Sequence, residues 1–92
     1  MISFVVKKDG SKAAFDSSKT KNSIIASAKE AGFDQDKAEA VANEISTSVL
    51  NSFYDQDTVL TSEIKNRVLA QLDSSYPEVS AAWRKYDQEH GK

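Results

Sequence analysis

The chain has 92 residues, which is enough for one domain with a modest hydrophobic core and too few for two domains. It has no cysteine and a single histidine, His90, which excludes disulfide frameworks, thiol catalysis and zinc ribbons. No apolar run exceeds three residues, so we expect no membrane partner and a cytoplasmic protein. The net charge of -2 argues against nucleic acid as a partner, because phosphate backbones bind basic surfaces.

The charge is distributed unevenly along the chain. Residues 1–31 carry a net charge of +3, whereas residues 32–92 carry -5. The basic excess comes from lysines alone, since the first segment contains no arginine. This pattern indicates either an anion-binding site near the N-terminus or a solvated basic face.

A β-hairpin is predicted over residues 2–15, where apolar and polar residues alternate before and after a turn. Asp9 and Gly10 are typical of a two-residue turn, which would pair Lys8 with Ser11. This register predicts two different faces for the hairpin. One face would carry Val5, Lys7, Lys12 and Ala14, and the other would carry Phe4, Val6, Ala13 and Phe15.

Four helices are predicted after the hairpin, because apolar residues then recur at three- and four-residue steps. Asp16 or Ser17 is expected to cap the first helix, and Gly32 is expected to end it. Thr61 is expected to cap the third helix. The predicted helices span about 17–31, 36–52, 62–73 and 76–89.

The last helix has its own predicted start signal, since Ser75 and Glu78 have the spacing of a capping box and Pro77 would lie in the first turn. The segment 54–60 is expected to be the most mobile connection. The sequence therefore predicts one α+β, mostly helical domain over residues 1–92, with an N-terminal β-hairpin as a cap on a four-helix bundle.

No combination of residues in the sequence predicts catalysis or metal binding. Asp55 and Asp57 could begin a calcium loop, but Leu60 and Asn66 stand where glycine and glutamate are needed. The lysines near Gly10 flank a turn instead of following a glycine-rich loop, so a P-loop is excluded. We therefore expect no catalytic residue and no metal site.

A lysine cluster remains, where the hairpin meets the start of the first helix. The helix dipole and free backbone N–H groups at a helix N-terminus attract anions, as do ammonium groups. An anion site is one interpretation of this cluster, and a solvated surface is the other. The lysines concerned are Lys7, Lys8, Lys12, Lys19 and Lys21.

Four segments resemble a known family in order and spacing. Val5-Val6-Lys7-Lys8-Asp9-Gly10-Ser11 and Phe15-Asp16-Ser17-Ser18-Lys19 are similar to the ATP-cone signature, V-x-K-R-D-G-S, a short spacer and F-D-x-S-K-I. Thr61-Ser62-Glu63-Ile64 resembles the family's helix start after its variable loop, and Ala82-Trp83-Arg84-Lys85-Tyr86 resembles its terminal helix. ATP-cones are regulatory domains that sense ATP and dATP in ribonucleotide reductases and in a repressor of reductase genes.

The resemblance implies a non-catalytic domain that binds ATP or dATP, which can carry Mg²⁺ with it. It also implies that occupancy is signalled to a partner protein, such as a ribonucleotide reductase, or to the chain's own oligomeric state. The implied nucleotide-binding residues are Val5 at the base, Asp16 near the adenine amino group, Lys7, Lys8 and Lys19 at the phosphates, and Thr61 and Lys65, which close the site from the third helix.

Four positions depart from the family pattern. Lys8 replaces the usual arginine, Ala13 a frequently acidic residue, Thr20 an apolar residue and Asp87 an arginine. The alternative is therefore a protein–protein interaction module that keeps the ATP-cone fold but has a degraded nucleotide site. Because no reductase domain or zinc ribbon accompanies the cone, we expect a free-standing domain or a fragment, and Met1 before the first strand favours a natural N-terminus.

Overall fold

The structure is a computed structural model that describes residues 2–90, apart from the side chains of Asp87, Glu89 and His90. The departure at Asp87 and the single histidine therefore lie outside the described side chains. The elements are β1 (Phe4–Val6), β2 (Lys12–Ala14), α1 (Ser17–Glu30), α2 (Gln35–Asn51), β3 (Thr58–Leu60), α3 (Thr61–Ser75) and α4 (Pro77–His90). The fold is α+β and mostly helical, as predicted. None of the helices described is both long and apolar enough to cross a membrane.

The strands form a single three-stranded sheet in the order β2-β1-β3. β1 pairs with β2 antiparallel and with β3 parallel. The carbonyl of Asp57, just before β3, accepts hydrogen bonds from the N–H groups of Ser3 (2.8 Å) and Phe4 (3.1 Å). The segment predicted as a mobile connection over 54–60 thus ends in a paired strand, which the sequence analysis missed.

The hairpin turn takes three residues instead of the predicted two. The N–H of Lys7 donates to the carbonyl of Ser11 (2.8 Å), and the N–H of Gly10 donates to the carbonyl of Lys7 (2.9 Å). Gly10 has a φ of 89°, which favours glycine at the third turn position. The carboxylate of Asp9 holds the turn by accepting from the backbone N–H (2.9 Å) and hydroxyl (2.7 Å) of Ser11.

The longer turn shifts the register by one residue, so the predicted faces are wrong for the second strand. Val5 lies opposite Ala13, and Phe4 lies opposite Ala14. Because side chains alternate along a strand, the shift exchanges the two faces of β2. The inner face, toward the helices, carries Val5, Lys7 and Ala13, and the outer face carries Phe4, Val6, Lys12 and Ala14.

The ends of α1 follow the predicted capping signals. Asp16 is the N-cap, and its side chain accepts from the N–H of Ser18 at 3.0 Å. At the other end the N–H of Phe33 donates to the carbonyl of Ala28 (3.0 Å), and Gly32 has a φ of 100°. This is a Schellman ending with glycine in the left-handed position, which turns the chain directly into α2.

The start of α3 differs from the prediction. β3 runs into α3 without a loop, so Leu60 occupies the N-cap position and Thr61 is the first helical residue. The side chain of Glu63 accepts from the N–H of Leu60 at 3.1 Å, which satisfies one donor at this junction. The predicted Thr61 cap is therefore wrong by one residue, because the preceding strand was not recognised.

The predicted capping box at the start of α4 is also wrong. α3 continues through Ser75, and Tyr76 alone separates it from α4 at Pro77. Tyr76 has φ -142° and ψ 70°, since a residue before proline is disfavoured in the α region. Its carbonyl accepts from the N–H groups of Val79 (2.9 Å) and Ser80 (3.2 Å), which begins the new helix.

The hydrophobic core is shared by all four helices and the inner face of the sheet. α1 packs against α2 and α4, and α3 packs against the same two helices. The strands contribute Val5 and Val59 to this core. The buried core residues are Ile2, Val5, Ile24, Ala28, Ala38, Val41, Ala42, Ile45, Val49, Phe53, Val59, Ile64, Val68, Leu72 and Val79.

Candidate functional site

A pocket of about 240 Å³ lies between the inner face of the sheet and helices α1, α3 and α4. Five elements or their flanking residues contribute to its walls, so the fold must be complete before the pocket exists. The lining residues are Val5, Lys7, Ala13, Ala14, Phe15, Asp16, Lys19, Thr20, Ser23, Thr61, Ile64, Lys65, Val68 and Trp83.

The α1 wall follows from helix periodicity. Asp16 at the N-cap, Lys19, Thr20 and Ser23 are spaced at three, four and seven residues, which places them on one helix face. All four carry polar groups. The first two turns of α1 therefore present hydroxyl and charged groups to the pocket.

The α3 wall has the same periodicity but a mixed character. Thr61, Ile64, Lys65 and Val68 lie on one face at three-, four- and seven-residue steps. Since β3 leads straight into this helix, the pairing of β3 with β1 fixes the position of Thr61 relative to the inner face of the sheet. The wall is hydrophobic at its base and polar at the start of the helix.

The pocket combines an apolar floor with a basic rim. Val5 and Val68 are buried, whereas the ammonium-bearing side chains of Lys7, Lys19 and Lys65 are exposed. Three lysines against one aspartate give the lining a net positive charge. Such a pocket suits a ligand that has a flat apolar part and an anionic part.

Asp16 is ionised and already engaged by its own helix. Its Oδ1 accepts from the N–H (3.0 Å) and the hydroxyl (2.6 Å) of Ser18. These hydrogen bonds, with a further contribution from the charge of Lys19, lower the pKa of Asp16. The carboxylate therefore remains negative at neutral pH.

The capped start of α1 corrects one expectation about anion binding. The N–H of Ser18 bonds to the Asp16 side chain, and the N–H of Lys19 bonds to the Asp16 carbonyl at 3.2 Å. These two donors are not available to a ligand, and the carboxylate offsets the helix dipole. Attraction of an anion to this pocket therefore comes mainly from lysine ammonium groups.

The structure brings six of the seven predicted nucleotide-binding residues to this pocket. Lys8 is the exception, because it is the first of the three turn residues and lies outside the pocket lining. The six residues lining the pocket are Val5, Lys7, Asp16, Lys19, Thr61 and Lys65.

Two of the departures from the family pattern, Ala13 and Thr20, also line the pocket. They are thus wall residues and not scattered surface changes. The sequence analysis did not assign Ser23 and Trp83 to the site. The spacing of Ser23 from Asp16 and Lys19 could have indicated its position, whereas Trp83 shares the apolar stripe of its helix and looks like an ordinary core residue.

Among the described residues, no group of three or more His, Cys, Asp or Glu side chains could hold a metal ion. Several of the described carboxylates hold local structure instead. Asp34 caps α2 by accepting from the N–H of Lys37 at 2.8 Å, and Asp9 holds the hairpin turn.

The fold and pocket together define a small α+β domain with a lysine-rimmed pocket between a sheet and three helices. A family model of the ATP cone domain matches residues 3–92. The chain therefore belongs to the ATP-cone family and is a nucleotide-binding regulatory domain, since ATP-cones bind ATP or dATP as a regulatory ligand. A search of curated proteins gave no match.

Proposed function

We propose that this chain is a cytoplasmic, non-catalytic sensor that binds ATP or dATP between the sheet and a four-helix bundle. Occupancy is passed to a partner protein, such as a ribonucleotide reductase, or to the oligomeric state of the chain itself. The single observation that carries the proposal is the pocket, which has an apolar floor and a lysine rim in a chain of the ATP-cone family.

The lining residues have distinct roles in this proposal. The adenine base lies against Val5, and the carboxylate of Asp16 accepts a hydrogen bond from its amino group. Asp16 has a second carboxylate oxygen for this purpose, since only Oδ1 is used by Ser18. Mg²⁺ would arrive with the phosphates.

The phosphates are held by the basic rim. Lys7 approaches from the sheet and Lys19 from α1, so the two ammonium groups reach the ligand from different elements. Thr61 and Lys65 approach from α3. Lys8 adds positive charge from the adjoining turn and does not form a wall.

A ligand in this position would link elements that are distant in sequence. The pocket is lined by residues of β1, α1, α3 and α4, so a bound nucleotide contacts several elements at once. A change in their relative positions would alter the outer surface of the domain. Together with the family match, this favours a sensor over an interaction module with a degraded site.

Calorimetric titration with ATP and with dATP tests the binding. A ligand of about 31 non-hydrogen atoms at roughly 0.3 kcal/mol per atom gives about 9 kcal/mol, which predicts a Kd of about 0.3 μM at the tightest. A Kd weaker than about 1 mM for both nucleotides would overturn the proposed function and favour the interaction module.

A matched pair of charge reversals on α1 tests the location. Lys19 lines the pocket, whereas the ammonium of Lys29 donates to the side chain of Gln35 at 2.9 Å near the far end of the helix. Lys19→Glu should weaken ATP binding by at least about tenfold, and Lys29→Glu by less than about twofold, because screened charges act over about 8 Å. Equal losses would mean that only the overall charge matters.

The regulatory part is tested separately by sedimentation velocity with and without saturating ATP. A change in sedimentation coefficient that requires the nucleotide would support signalling through the oligomeric state. An unchanged coefficient with proven binding would exclude a nucleotide-driven change of oligomeric state and leave a partner protein as the receiver.

A further inference from the structure

Three side chains at the α3–α4 hairpin form a closely bonded group, which we call the clamp: Asp73, Ser80 and Arg84. The Arg84 guanidinium donates to both carboxylate oxygens of Asp73, at 2.7 and 2.9 Å. The hydroxyl of Ser80 donates to Asp73 and accepts from Arg84. The clamp therefore joins α3 to α4 through a bidentate ion pair and a shared hydroxyl.

The clamp differs from an ordinary surface ion pair. Exposed pairs usually contribute little, because two long side chains must be ordered in a solvent that screens them. The side chains of Arg84 and Asp73 are 50% and 49% exposed, but the pair is bidentate and bonded to Ser80, which is only 1% exposed. The Arg84 hydrogen bonds lower the pKa of Asp73 to about 2, so the ion pair persists at neutral pH.

The clamp joins α3 and α4, and both helices contribute residues to the pocket. Trp83, the neighbour of Arg84 on α4, lines the pocket. Val68, five residues before Asp73 on α3, lines it as well. At the junction the Tyr76 hydroxyl donates to Glu44 of α2 at 2.8 Å, which anchors this end of the hairpin to the rest of the domain.

Apolar burial decreases along α4 after its first turn. Val79 near the start of the helix is fully buried, but Ala82 and Trp83 are only half-buried. A half-buried helix face makes fewer packing contacts than a fully buried one, so its position is less strongly fixed. The clamp supplies a directional contact at the point where the apolar packing becomes weaker.

We propose that Asp73, Ser80 and Arg84 are positioning residues for the nucleotide site, which hold α4 so that Trp83 stays against the pocket. They line no part of the pocket themselves, so their effect on the ligand passes through Trp83. This role rests on the proposed nucleotide function, but the position of Trp83 can be measured without any nucleotide.

The test uses the fluorescence of Trp83, which is the only tryptophan in the chain. Arg84→Gln removes the ion pair. It should move the emission maximum to longer wavelength as the indole gains water, and it should weaken ATP binding by roughly three- to tenfold. Far-UV circular dichroism establishes that the variant is folded.

Two further variants separate positioning from a loss of charge or of stability. Lys85→Gln removes the same charge from the next residue of α4, outside the clamp, and should leave the emission unchanged. The exchange Asp73→Arg with Arg84→Asp should restore the emission maximum and ATP affinity at least in part.

The positioning role is overturned if folded Arg84→Gln has the emission maximum and ATP affinity of Lys85→Gln. It is also overturned if the charge exchange restores the melting temperature but not the emission. If the wild-type chain binds no ATP while Arg84→Gln still shifts the emission, the proposed function fails but the clamp still positions Trp83.

Discussion

The two faces of the three-stranded sheet differ more in burial than in composition. On the inner face Val5 and Val59 are 8% and 3% exposed, whereas on the outer face Phe4 and Leu60 are 38% and 47% exposed. Phe4 and Leu60 are larger hydrophobic residues than either valine. Hydrophobicity alone therefore does not decide which face is buried. The strand register and the position of the helices decide it.

The same contrast applies to two lysines of the hairpin. Lys7 is on the inner face and lines the pocket, whereas the ammonium of Lys12 lies 4.5 Å from the centre of the Phe4 ring on the outer face. Lys12 thus covers an exposed aromatic ring through a cation–π contact. One lysine lines a pocket and the other covers part of the surface.

The largest expected difference between the two faces is in the stability lost on substitution in β3, the strand that the sequence analysis missed. Val59→Asp places a charge among buried side chains and should lower the free energy of unfolding by at least about 3 kcal/mol. Thr58→Asp, one residue earlier on the outer face, should cost less than about 1 kcal/mol. Urea unfolding measures both.

If Thr58→Asp were as damaging as Val59→Asp, the assignment of inner and outer faces in β3 would be wrong. If neither variant changed the stability, the strand would not be part of the folded sheet.

The next largest expected effect is the rise in Tm caused by ATP bound at the inner face of the sheet. Binding at a hundredfold excess over Kd stabilises the folded state by about 2.7 kcal/mol, so saturating ATP should raise the Tm by more than about 10 °C. AMP should raise it less, since most of the lysine rim then has no phosphate partner. Differential scanning fluorimetry at two salt concentrations gives both comparisons.

Added salt should reduce the ATP shift, because it screens the attraction between exposed lysines and phosphates. Equal shifts from ATP and AMP, or a shift that ignores salt, would contradict the assignment of the phosphates to the lysine rim.

A smaller effect is expected on ATP affinity, and it differs between the two hairpin lysines. Lys7→Glu should weaken ATP binding by at least about tenfold, since the charge lies on the rim of the pocket. Lys12→Glu reverses the same charge on the opposite face and should change the affinity by less than about threefold. Calorimetry gives the ratio, and a larger loss in Lys12→Glu would mean that the hairpin faces are exchanged.

The smallest expected effect is on the pH dependence of stability. It concerns two carboxylates that accept similar hydrogen bonds. Asp9 at the turn accepts from Ser11, and Asp16 at the pocket accepts from Ser18. These hydrogen bonds lower the pKa of each carboxyl below its ordinary value of 3.8. Their stabilisation is therefore present above that pH and is lost as the pH falls through the lowered values.

Urea unfolding between about pH 5 and pH 2.5 should show this loss. Asp9→Asn and Asp16→Asn should each make the pH dependence shallower, and Asp16→Asn more so, because Asp16 also interacts with the helix dipole. Asp73 contributes to the same decline in every variant. An unchanged slope in Asp16→Asn would mean that its cap has no electrostatic part.

Elements with a local signal could be predicted from the sequence. The four helices follow from the spacing of apolar residues, and the ends of α1 follow from Asp16 and Gly32. Hairpin register depends on the turn length, which Asp9-Gly10 leaves open between two and three residues. That ambiguity of one residue was enough to exchange the predicted faces of the second strand.

The elements that were missed depend on distant contacts. β3 has only three residues and forms because β1, far away in the sequence, offers a free edge. The error at Thr61 follows from missing that strand. Part of the pocket lining could be predicted, because Lys7, Asp16 and Lys19 lie close together in the sequence, whereas Trp83 reaches the pocket only through the packing of α4.

We expect the parallel pairing of β1 with β3 to form late in folding. It joins Phe4 to Thr58, so it closes a chain segment of roughly fifty residues, whereas the hairpin closes only a short turn. Local helices and the hairpin can form first, and the pocket is completed only when this long loop closes. A nucleotide that requires the complete pocket therefore recognises a structure reached late in folding. It should slow the unfolding of the chain much more than it accelerates folding.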